Sequence, residues 1–254
     1  MMLILGGTSD ALNLADELYR ICPRLVYSTA TEYGDFTASK RLQCKRVYGR
    51  KNKEELAELL IKKNVKMLID ATHPFAVNVS ENAINVCESL GIEYIRYERP
   101  SKIFTADSIL FFQNYEEAGR YVEDLEGKIF ITTGTNDIEK ILCQISEKNR
   151  VVARVLSVSQ SILKLESLGL KAENIIAMKG PFSEEMNYIM FKESDAKILI
   201  CKDSGISSGY EEKIQAAKRL NMKILVLKRP DIIYPNKFDS IEEIQKYVIN
   251  RIKE

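Results

Sequence analysis

The sequence has a single histidine, His73, and its five cysteines include no CxxC pair. A structural zinc site needs several cysteine and histidine ligands at short spacings, so we expect the protein to have no metal site. The cysteines are odd in number, and most of them stand in apolar runs. We therefore expect them to be small buried side chains in a reducing compartment.

Several segments with a recognisable pattern are also missing. No apolar stretch approaches the roughly 20 residues of a membrane-spanning helix, and residues 1–5 do not follow the pattern of a signal peptide. The net charge is +1, and no basic run is dense enough for a nucleic-acid partner. The sequence has neither a Walker lysine nor a Ser-His-Asp set with its elbow motif, which argues against kinases and hydrolases. We expect a cytoplasmic protein without membrane or nucleic-acid partners.

What the sequence does contain is a long alternation of short apolar runs and helical patterns. With 45% hydrophobic and 29% charged residues it has the composition of a packed protein. The alternation predicts an α/β fold with two Rossmann-like, doubly wound lobes, mostly parallel sheets and an inter-lobe cleft. The first hundred residues follow the order β-α-β-β-α-β-α-β, and the pattern restarts after Pro100. The expected lobes are residues 1–100 and 101–254.

The first strand leads into a glycine turn and then a helix. This turn contains Gly6, Gly7, Thr8 and Ser9. A strand, a glycine turn and a helix in this order bind phosphate groups in dinucleotide-binding proteins. The match to GxGxxG is incomplete, so the alternative is a plain tight turn with Ser9 or Asp10 as the helix N-cap.

The second strand ends in Ser28 and Thr29, and Glu32 follows at about the spacing of the ribose-binding acid of a Rossmann fold. A carboxylate there repels a 2′-phosphate, so Glu32 favours NADH over NADPH. Lys40 and Arg41 are close enough in sequence to weaken this argument. The alternative is that Glu32 is a solvated turn residue.

A short apolar run from Met67 to Ile69 ends abruptly in Asp70, Thr72, His73 and Pro74, and Phe75 begins a helical pattern. Ligands of open α/β sheets bind beyond the carboxyl ends of the strands, so this junction is a candidate site. A histidine also titrates near neutral pH. The alternative is that Asp70 or Thr72 caps the helix while His73 and Pro74 shape a turn.

Polar residues end the strands of the second half in the same way. Hydroxyls, glycines and cations at strand ends suit an anionic ligand that carries several carboxylates or phosphates. Arg154, in an apolar strand, is either paired inside the fold or directed at an anion. The residues concerned are Thr133, Gly134, Arg154, Gly180, Pro181, Phe182, Lys202, Asp203, Ser204 and Gly205.

Taken in order, these motifs make the chain resemble the precorrin-6A reductases of cobalamin biosynthesis. The motifs are ILGGTSDA, STATEYG, DATHPFA, YERP, TTG, KGPFS, KDSG and a late RP, and they span nearly the whole chain. DATHPFA together with KDSG is more specific than a glycine turn. Where the family often has an arginine after GGT, in GGTxEAR, this chain has Leu12 and Asn13.

The resemblance implies a reductase that uses NADH or NADPH to saturate one double bond of a corrin-precursor macrocycle. Glu32 makes STATEYG more similar to the cobalt-precorrin-6A version with NADH, and the cobalt belongs to the substrate. The candidate proton source is His73, Lys202 or a bound water, and the ordinary pKa of histidine favours His73. The implied cofactor-binding residues are Gly6, Gly7, Thr8, Ser9, Ser28, Thr29, Glu32, Thr72, Pro74 and Phe75, and the substrate-binding residues are the strand-end set of the second half.

Two other functions are compatible with the same pattern. One is a non-catalytic nucleotide-sensing module on a Rossmann-like scaffold, since a fold alone does not fix a function. The other is a nicotinamide-dependent reductase of a different anionic substrate.

Overall fold

The computed structural model describes residues 1–102, 104–205 and 208–253. It consists of two compact units. The first comprises Met1–Pro100 together with Pro230–Glu254, and the second is Ser101–Arg229. Each unit is built around one six-stranded sheet.

The sheet of the first unit has the strand order of a classical dinucleotide-binding fold. From one edge to the other its order is β3-β2-β1-β4-β5-β12, and each of these pairs is parallel. The strands are β1 (Met2–Leu5), β2 (Leu25–Thr29), β3 (Lys45–Tyr48), β4 (Met67–Asp70), β5 (Glu93–Tyr97) and β12 (Lys237–Phe238). The helices are α1 (Ser9–Ile21), α2 (Glu32–Ser39), α3 (Lys53–Lys62), α4 (Val77–Leu90) and α10 (Ile241–Lys253).

The sheet of the second unit repeats this plan with a different sixth strand. Its order is β9-β8-β7-β10-β11-β6, again with parallel pairs, so the strand that precedes the other five occupies the outer position. The strands are β6 (Ile109–Phe112), β7 (Lys128–Ile131), β8 (Val151–Val155), β9 (Ile175–Ala177), β10 (Ala196–Lys202) and β11 (Lys223–Leu227). The helices are α5 (Tyr115–Glu123), α6 (Ile138–Leu142), α7 (Ser159–Ser167), α8 (Glu184–Glu193) and α9 (Tyr210–Arg219).

The core consists of apolar strands that are covered by helices on both faces of the sheet. β1, β2 and β4 are buried along their whole length, as expected for central strands of a parallel sheet. α1 presents Leu14 and Leu18 to this sheet, and α10 adds Ile244 and Val248 to the same apolar cluster. The α/β prediction with two doubly wound sheets is thus confirmed.

The expected boundaries of the second lobe differ from the structure. The sequence pattern assigns residues 230–254 to the second lobe, but this segment returns to the first unit. β12 pairs with β5, and α10 packs against α1 through an apolar face. Two exposed or half-buried residues form β12, so no apolar run marks the strand.

In both sheets the chain reverses its direction of winding between two central strands. These strands are β1 and β4 in the first unit and β7 and β10 in the second. Loops leaving such neighbouring strands diverge and open a crevice at the carboxyl edge, where open α/β sheets bind ligands. The glycine turn and DATHPFA follow β1 and β4, while TTG and KDSG follow β7 and β10.

The described residues contain no helix long and apolar enough to cross a membrane. They also contain no cluster of three or more metal-binding side chains. All five cysteines are free thiols. Three are buried, but Cys143 is exposed and Cys22 is half-buried.

Candidate active site

The glycine turn of the first unit is shaped by Tyr27 of the neighbouring strand β2. A Cβ atom on Gly6 would lie 2.2 Å from the ring and the hydroxyl of Tyr27, so only glycine fits. The Tyr27 hydroxyl accepts a hydrogen bond from the Gly7 N–H at 3.0 Å, and Gly7 has a φ of +116°. Burial raises the pKa of Tyr27 to about 12, so the hydroxyl stays neutral.

Thr8, and neither Ser9 nor Asp10, is the N-cap of α1. Its hydroxyl accepts from the Ala11 N–H at 3.0 Å and donates to the Ala71 carbonyl at 3.2 Å, which ties the glycine turn to the loop after β4. The next two amides, of Ser9 and Asp10, have no acceptor among the described residues. With open space beside Gly7, the start of this helix fits a phosphate group.

Asp10 lies in the first turn of α1 and forms an ion pair with Arg99, which follows β5. Burial raises the pKa of Asp10, although the Arg99 guanidinium acts in the opposite direction. The pair places a cation beside the glycine turn. This chain has Leu12 in place of the arginine of GGTxEAR, and the guanidinium next to α1 is that of Arg99.

The residues after β2 form a second helix start that the sequence pattern does not reveal. Thr31 caps α2 by accepting from the Gly34 N–H at 3.1 Å, and Thr29 donates to the Thr31 carbonyl at 3.3 Å. Ser28 and Thr29 are buried, whereas Glu32 is the exposed first residue of α2. Glu32 is therefore exposed to solvent near the carboxyl end of β2, as the first residue of a helix and not in a turn.

Asp70 is a buried carboxylate that contacts several donors beneath the loop after β4. Its Oδ1 accepts from the Thr72 N–H (3.0 Å) and the Thr72 hydroxyl (2.6 Å), and its Oδ2 accepts from Ser80 (2.6 Å) and Tyr94 (2.8 Å). Arg96 completes the shell with an ion pair at 2.9 Å, and both side chains are fully buried. A carboxylate with this many donors fixes the loop that follows it.

The shell of Asp70 continues through Arg96 to the edge of the sheet. Arg96 also contacts Glu98 at 3.1 Å, and Glu98 pairs with Lys237 of β12 at 2.7 Å. Burial of Tyr94 next to Asp70 raises the pKa of its hydroxyl. Neither Asp70 nor Thr72 caps a helix, because α4 begins after Ala76 without a side-chain cap.

The loop held by Asp70 presents His73, Pro74 and Phe75. The His73 Nδ1 accepts from the Phe75 N–H at 3.3 Å, so the proton of the neutral ring is on Nε2. The rings of His73 and Phe75 lie 5.7 Å apart, His73 is half-buried, and Pro74 is buried. His73, Pro74, Phe75 and Thr72 thus form one rigid loop.

In the second unit, Lys202 ends β10 and pairs with Asp137, at the start of α6, over 3.3 Å. Burial lowers the pKa of Lys202, and the neighbouring Asp137 raises it. The Asp137 carboxylate also contacts Lys140 at 3.3 Å. The pKa of Asp137 lies below its usual value; burial opposes this shift, and Lys202 and Lys140 cause it. The sequence pattern does not single out Asp137. It becomes a candidate site residue only because the fold places it next to Lys202.

The loop after β10 repeats the arrangement of the loop after β4. Asp203 accepts from the Gly205 N–H at 3.3 Å and from the Ser101 hydroxyl at 2.6 Å, and it pairs with Arg229 at 3.4 Å. Asp70 is the last residue of β4 and its partner Arg96 lies within β5, whereas Asp203 directly follows β10 and Arg229 lies two residues beyond β11. Ser204 is buried next to Asp203 and shares a hydrogen bond of 2.7 Å with Ser208.

The remaining residues of the second half lie at the same edge. Thr133 is buried and Gly134 is half-buried directly after β7, while Gly180 and Pro181 are exposed. Arg154 is buried inside the unit. It donates to the Asn187 side chain at 2.8 Å and lies over the ring of Phe182 at 4.1 Å. Arg154 is thus paired inside the fold, which was the first of the two alternatives, and the groups that it contacts are neutral.

Comparisons with known proteins identify the family. The family model "Precorrin-6x reductase CbiJ/CobK" matches residues 1–249. The chain belongs to this family. It is 36% identical over 251 residues to the cobalt-precorrin-6A reductase of Methanocaldococcus jannaschii, covering 98% of each chain. It is 34% identical over 257 residues to the cobalt-precorrin-6A reductase of Priestia megaterium, covering 100% of each chain.

A solved structure supports the fold. The structure titled "CobK precorrin-6A reductase" has a TM-score of 0.80 and 20% identity, and the match covers 98% of this chain and 96% of that one. Membership of the precorrin-6x reductase family identifies the chain as a reductase of cobalamin biosynthesis. The resemblance inferred from the sequence motifs is thereby confirmed.

Proposed function

We propose that the protein is a cobalt-precorrin-6A reductase that transfers a hydride from NADH to a macrocycle double bond, giving cobalt-precorrin-6B. The observation that carries this proposal is the full-length similarity to relatives named cobalt-precorrin-6A reductase. The cobalt is part of the substrate. We further propose that the protein acts in the cytoplasm.

The first unit carries the proposed cofactor site. The amides of Ser9 and Asp10 at the start of α1 would hold a phosphate, and Gly7 leaves room for it. Ser28, Thr29 and Glu32, at the end of β2, are in the position of ribose-binding residues. A reduced nicotinamide bound there supplies the hydride. The rigid loop of Thr72, His73, Pro74 and Phe75 would keep water from it.

Saturating a carbon–carbon double bond also requires a proton at the carbon next to the one that receives the hydride. Two groups of this chain are proposed as the source. His73 holds a proton on Nε2 in its neutral form, and Lys202 is an ammonium whose pKa is lowered by burial. His73 is the first choice because its ordinary pKa lies near neutral pH.

The second unit carries the proposed contacts to the substrate's carboxylates. Lys202 and the loop of Asp203, Ser204 and Gly205 follow β10, and Thr133 and Gly134 follow the neighbouring strand β7. An ammonium, hydroxyls and backbone N–H groups at one crevice suit the acetate and propionate chains of a corrin precursor.

The test is an anaerobic titration with NADH and with NADPH, followed by cobalt-precorrin-6A, while the absorbance of the nucleotide and of the macrocycle is recorded. Oxidation of NADH coupled to a macrocycle change supports the proposal. Oxidation of NADPH alone would reject the proposal that Glu32 favours NADH, but it would still support a reductase. Nucleotide binding without turnover of cobalt-precorrin-6A or precorrin-6A favours a nucleotide-sensing module, and turnover of a smaller acid favours a different reductase.

The proposed proton source is tested with two variants. His73→Ala is expected to lower turnover much more than NADH affinity, and wild-type turnover would reject this role. Lys202→Ala is expected chiefly to raise the dissociation constant of the macrocycle. Unchanged binding in that variant would make Lys202 a structural residue.

A further inference from the structure

The C-terminal segment of the first unit packs against the buried guanidinium of Arg96. This guanidinium lies over the ring of Tyr234, with 5.1 Å between the Arg96 Cζ and the ring centroid. The Lys237 Nζ lies 5.9 Å from the same centroid. The backbone adds a further contact, because the Arg96 N–H donates to the Asn236 carbonyl at 2.7 Å. Residues 234–237 therefore hold Arg96 through side chains and backbone together.

The other contacts of the Arg96 guanidinium lead to the loop that presents His73. Its Nη1 pairs with Asp70 at 2.9 Å and donates to the Thr72 hydroxyl at 3.2 Å. Its Nη2 pairs with Glu98 at 3.1 Å. The buried Nε has no acceptor among the described residues. The described contacts that fix the guanidinium are thus those of its two terminal nitrogens and of the aromatic ring.

Thr72 is the point at which these contacts reach the loop. Its hydroxyl accepts from Arg96 and donates to Asp70 at 2.6 Å, and His73 is the next residue in the chain. A displaced Arg96 would therefore loosen the turn directly before the imidazole. The hydrogen bond that the His73 Nδ1 accepts from the Phe75 N–H is long, at 3.3 Å, so a small shift of the turn is enough to break it.

Glu98 connects Arg96 to the surface of the unit. Its Oε2 pairs with Arg96, while its Oε1 pairs with Lys237 at 2.7 Å. Glu98 is buried, whereas the Lys237 side chain is 48% exposed. A buried carboxylate is costly unless cations surround it, so Lys237 stabilises the position in which Glu98 holds Arg96. The charges alternate from Lys237 through Glu98 and Arg96 to Asp70.

We propose that Tyr234 and Lys237 are positioning residues of the reaction, which act through Arg96 on the loop that carries His73. The part that this loop plays in catalysis rests on the proposed function. Both residues belong to the segment that returns to the first unit after the second unit. This segment thus completes the first sheet and also fixes the place of the imidazole.

Four variants separate the ring, the ammonium and the segment as a whole. Tyr234→Leu removes the ring but keeps an apolar side chain for the cluster on which Tyr234 packs. Tyr234→Phe keeps the ring and is the conservative variant. Ile233→Ala is the matched control, since Ile233 is the preceding residue and is 94% exposed. Lys237→Met is the second informative variant, because a half-exposed side chain can be replaced with less risk to the fold.

The first measurement uses His73 as a spectroscopic probe, because it is the only histidine of the chain. Untagged protein labelled with ¹⁵N-histidine gives one pair of imidazole nitrogen signals, and at a pH where the ring is neutral their frequencies report which nitrogen carries the proton. In the wild type we expect the proton on Nε2, since Nδ1 is an acceptor. Tyr234→Leu should shift the pair towards a mixture of tautomers.

The other variants should order themselves around this result. Lys237→Met should shift the pair of signals in the same direction as Tyr234→Leu, but by less. Tyr234→Phe and Ile233→Ala should keep the signals of the wild type, because both retain the ring and the ammonium.

The second measurement is the turnover of cobalt-precorrin-6A with NADH. A misplaced loop slows the reaction more than it weakens substrate binding. We therefore expect Tyr234→Leu to lower kcat by about tenfold, while the KM of the macrocycle changes by less than about twofold. Tyr234→Phe and Ile233→Ala should keep the kcat of the wild type.

A folded Tyr234→Leu variant with the histidine signals or the kcat of the wild type would overturn the proposal. Equal changes in Tyr234→Leu and Ile233→Ala would also overturn it, since they would then follow from any change in the segment. A Tyr234→Phe variant that behaves like Tyr234→Leu would overturn the role of the ring. If Tyr234→Leu does not fold, Lys237→Met decides by the same two measurements.

The histidine signals also separate this proposal from the proposed function. If the wild type does not turn over cobalt-precorrin-6A, the proposed function fails. The histidine signals of the variants then decide alone whether Tyr234 and Lys237 position the loop.

Discussion

At the scale of the residue, a few buried charges organise each site. Asp70 takes five contacts from four side chains and one amide, and it has no access to solvent. Asp203, directly after β10 in the second unit, also pairs with an arginine, but its side chain keeps 16% of its exposure and the arginine lies 3.4 Å away. The two aspartates are therefore expected to differ in how much they stabilise the protein.

Asp70→Asn is predicted to destabilise the protein by about 3–5 kcal/mol, because it removes one of the two carboxylates that pair with the buried Arg96 guanidinium and leaves only Glu98. The amide would also put an NH2 group where a carboxylate oxygen now accepts, so that neighbouring hydroxyls would have to turn from donating to accepting. Asp203→Asn, the matched control, should cost much less. Urea denaturation followed by circular dichroism measures both values, and equal losses would contradict the difference in burial as the cause.

Asp137→Asn is predicted to change the pH dependence of turnover. The Asp137 carboxylate raises the pKa of Lys202 against the lowering by burial, so its removal lowers that pKa further. Lys202 then loses its proton at a lower pH, and any activity or substrate affinity that needs the ammonium falls off at a lower pH than in the wild type. A pH profile of kcat/KM measures this shift. If the alkaline limb stays where it is, Lys202 does not control it.

At the scale of the element, the turn between β1 and α1 is fixed by a side chain from the next strand. Gly6→Ala is predicted to cost about 3 kcal/mol, because the new methyl group would overlap the Tyr27 ring. In a Tyr27→Ala background the same change should cost little. Thermal unfolding of the four proteins in this cycle gives the coupling energy, and an additive result would show that the Tyr27 ring is not the obstacle.

Element prediction from the sequence succeeded where apolar runs are long and failed where burial is slight. β8 and β11, for example, form where the sequence has a run of mostly branched apolar residues. α2 buries only Ala38 and contains a glycine, and α7 leaves Leu163 63% exposed, so neither shows a clear helical stripe.

For the candidate site, the sequence predicts where the loops lie but not which side chains meet within them. The strand-end motifs lie in loops at the carboxyl edges of the two sheets, because parallel strands bring their carboxyl ends to one edge. Partners within these loops were not predictable. Nothing in the sequence marks Tyr27 or Asp137, and only the register and packing bring them to the glycine turn and to Lys202.

At the scale of the whole molecule, the second unit is continuous in sequence and the first is not. Residues 101–229 expressed alone are predicted to fold with a cooperative transition, because their sheet is complete. Residues 1–100 alone lack β12 and the buried face of α10, so they should stay unfolded until a fusion supplies residues 230–254. Circular dichroism and hydrogen exchange test both fragments. A stable fold of residues 1–100 alone would show that α10 is dispensable.

The interrupted first unit has a consequence during synthesis. The ribosome makes residues 1–100, then the whole second unit, and only then the segment that contains β12 and α10. The second unit, although it comes later in the sequence, is thus the first that can finish folding on the nascent chain. The glycine turn and the Asp70 loop belong to the first unit, which cannot finish folding before its last helix, α10, has been made. The proposed cofactor site is therefore completed only after the part proposed to hold the substrate's carboxylates already exists.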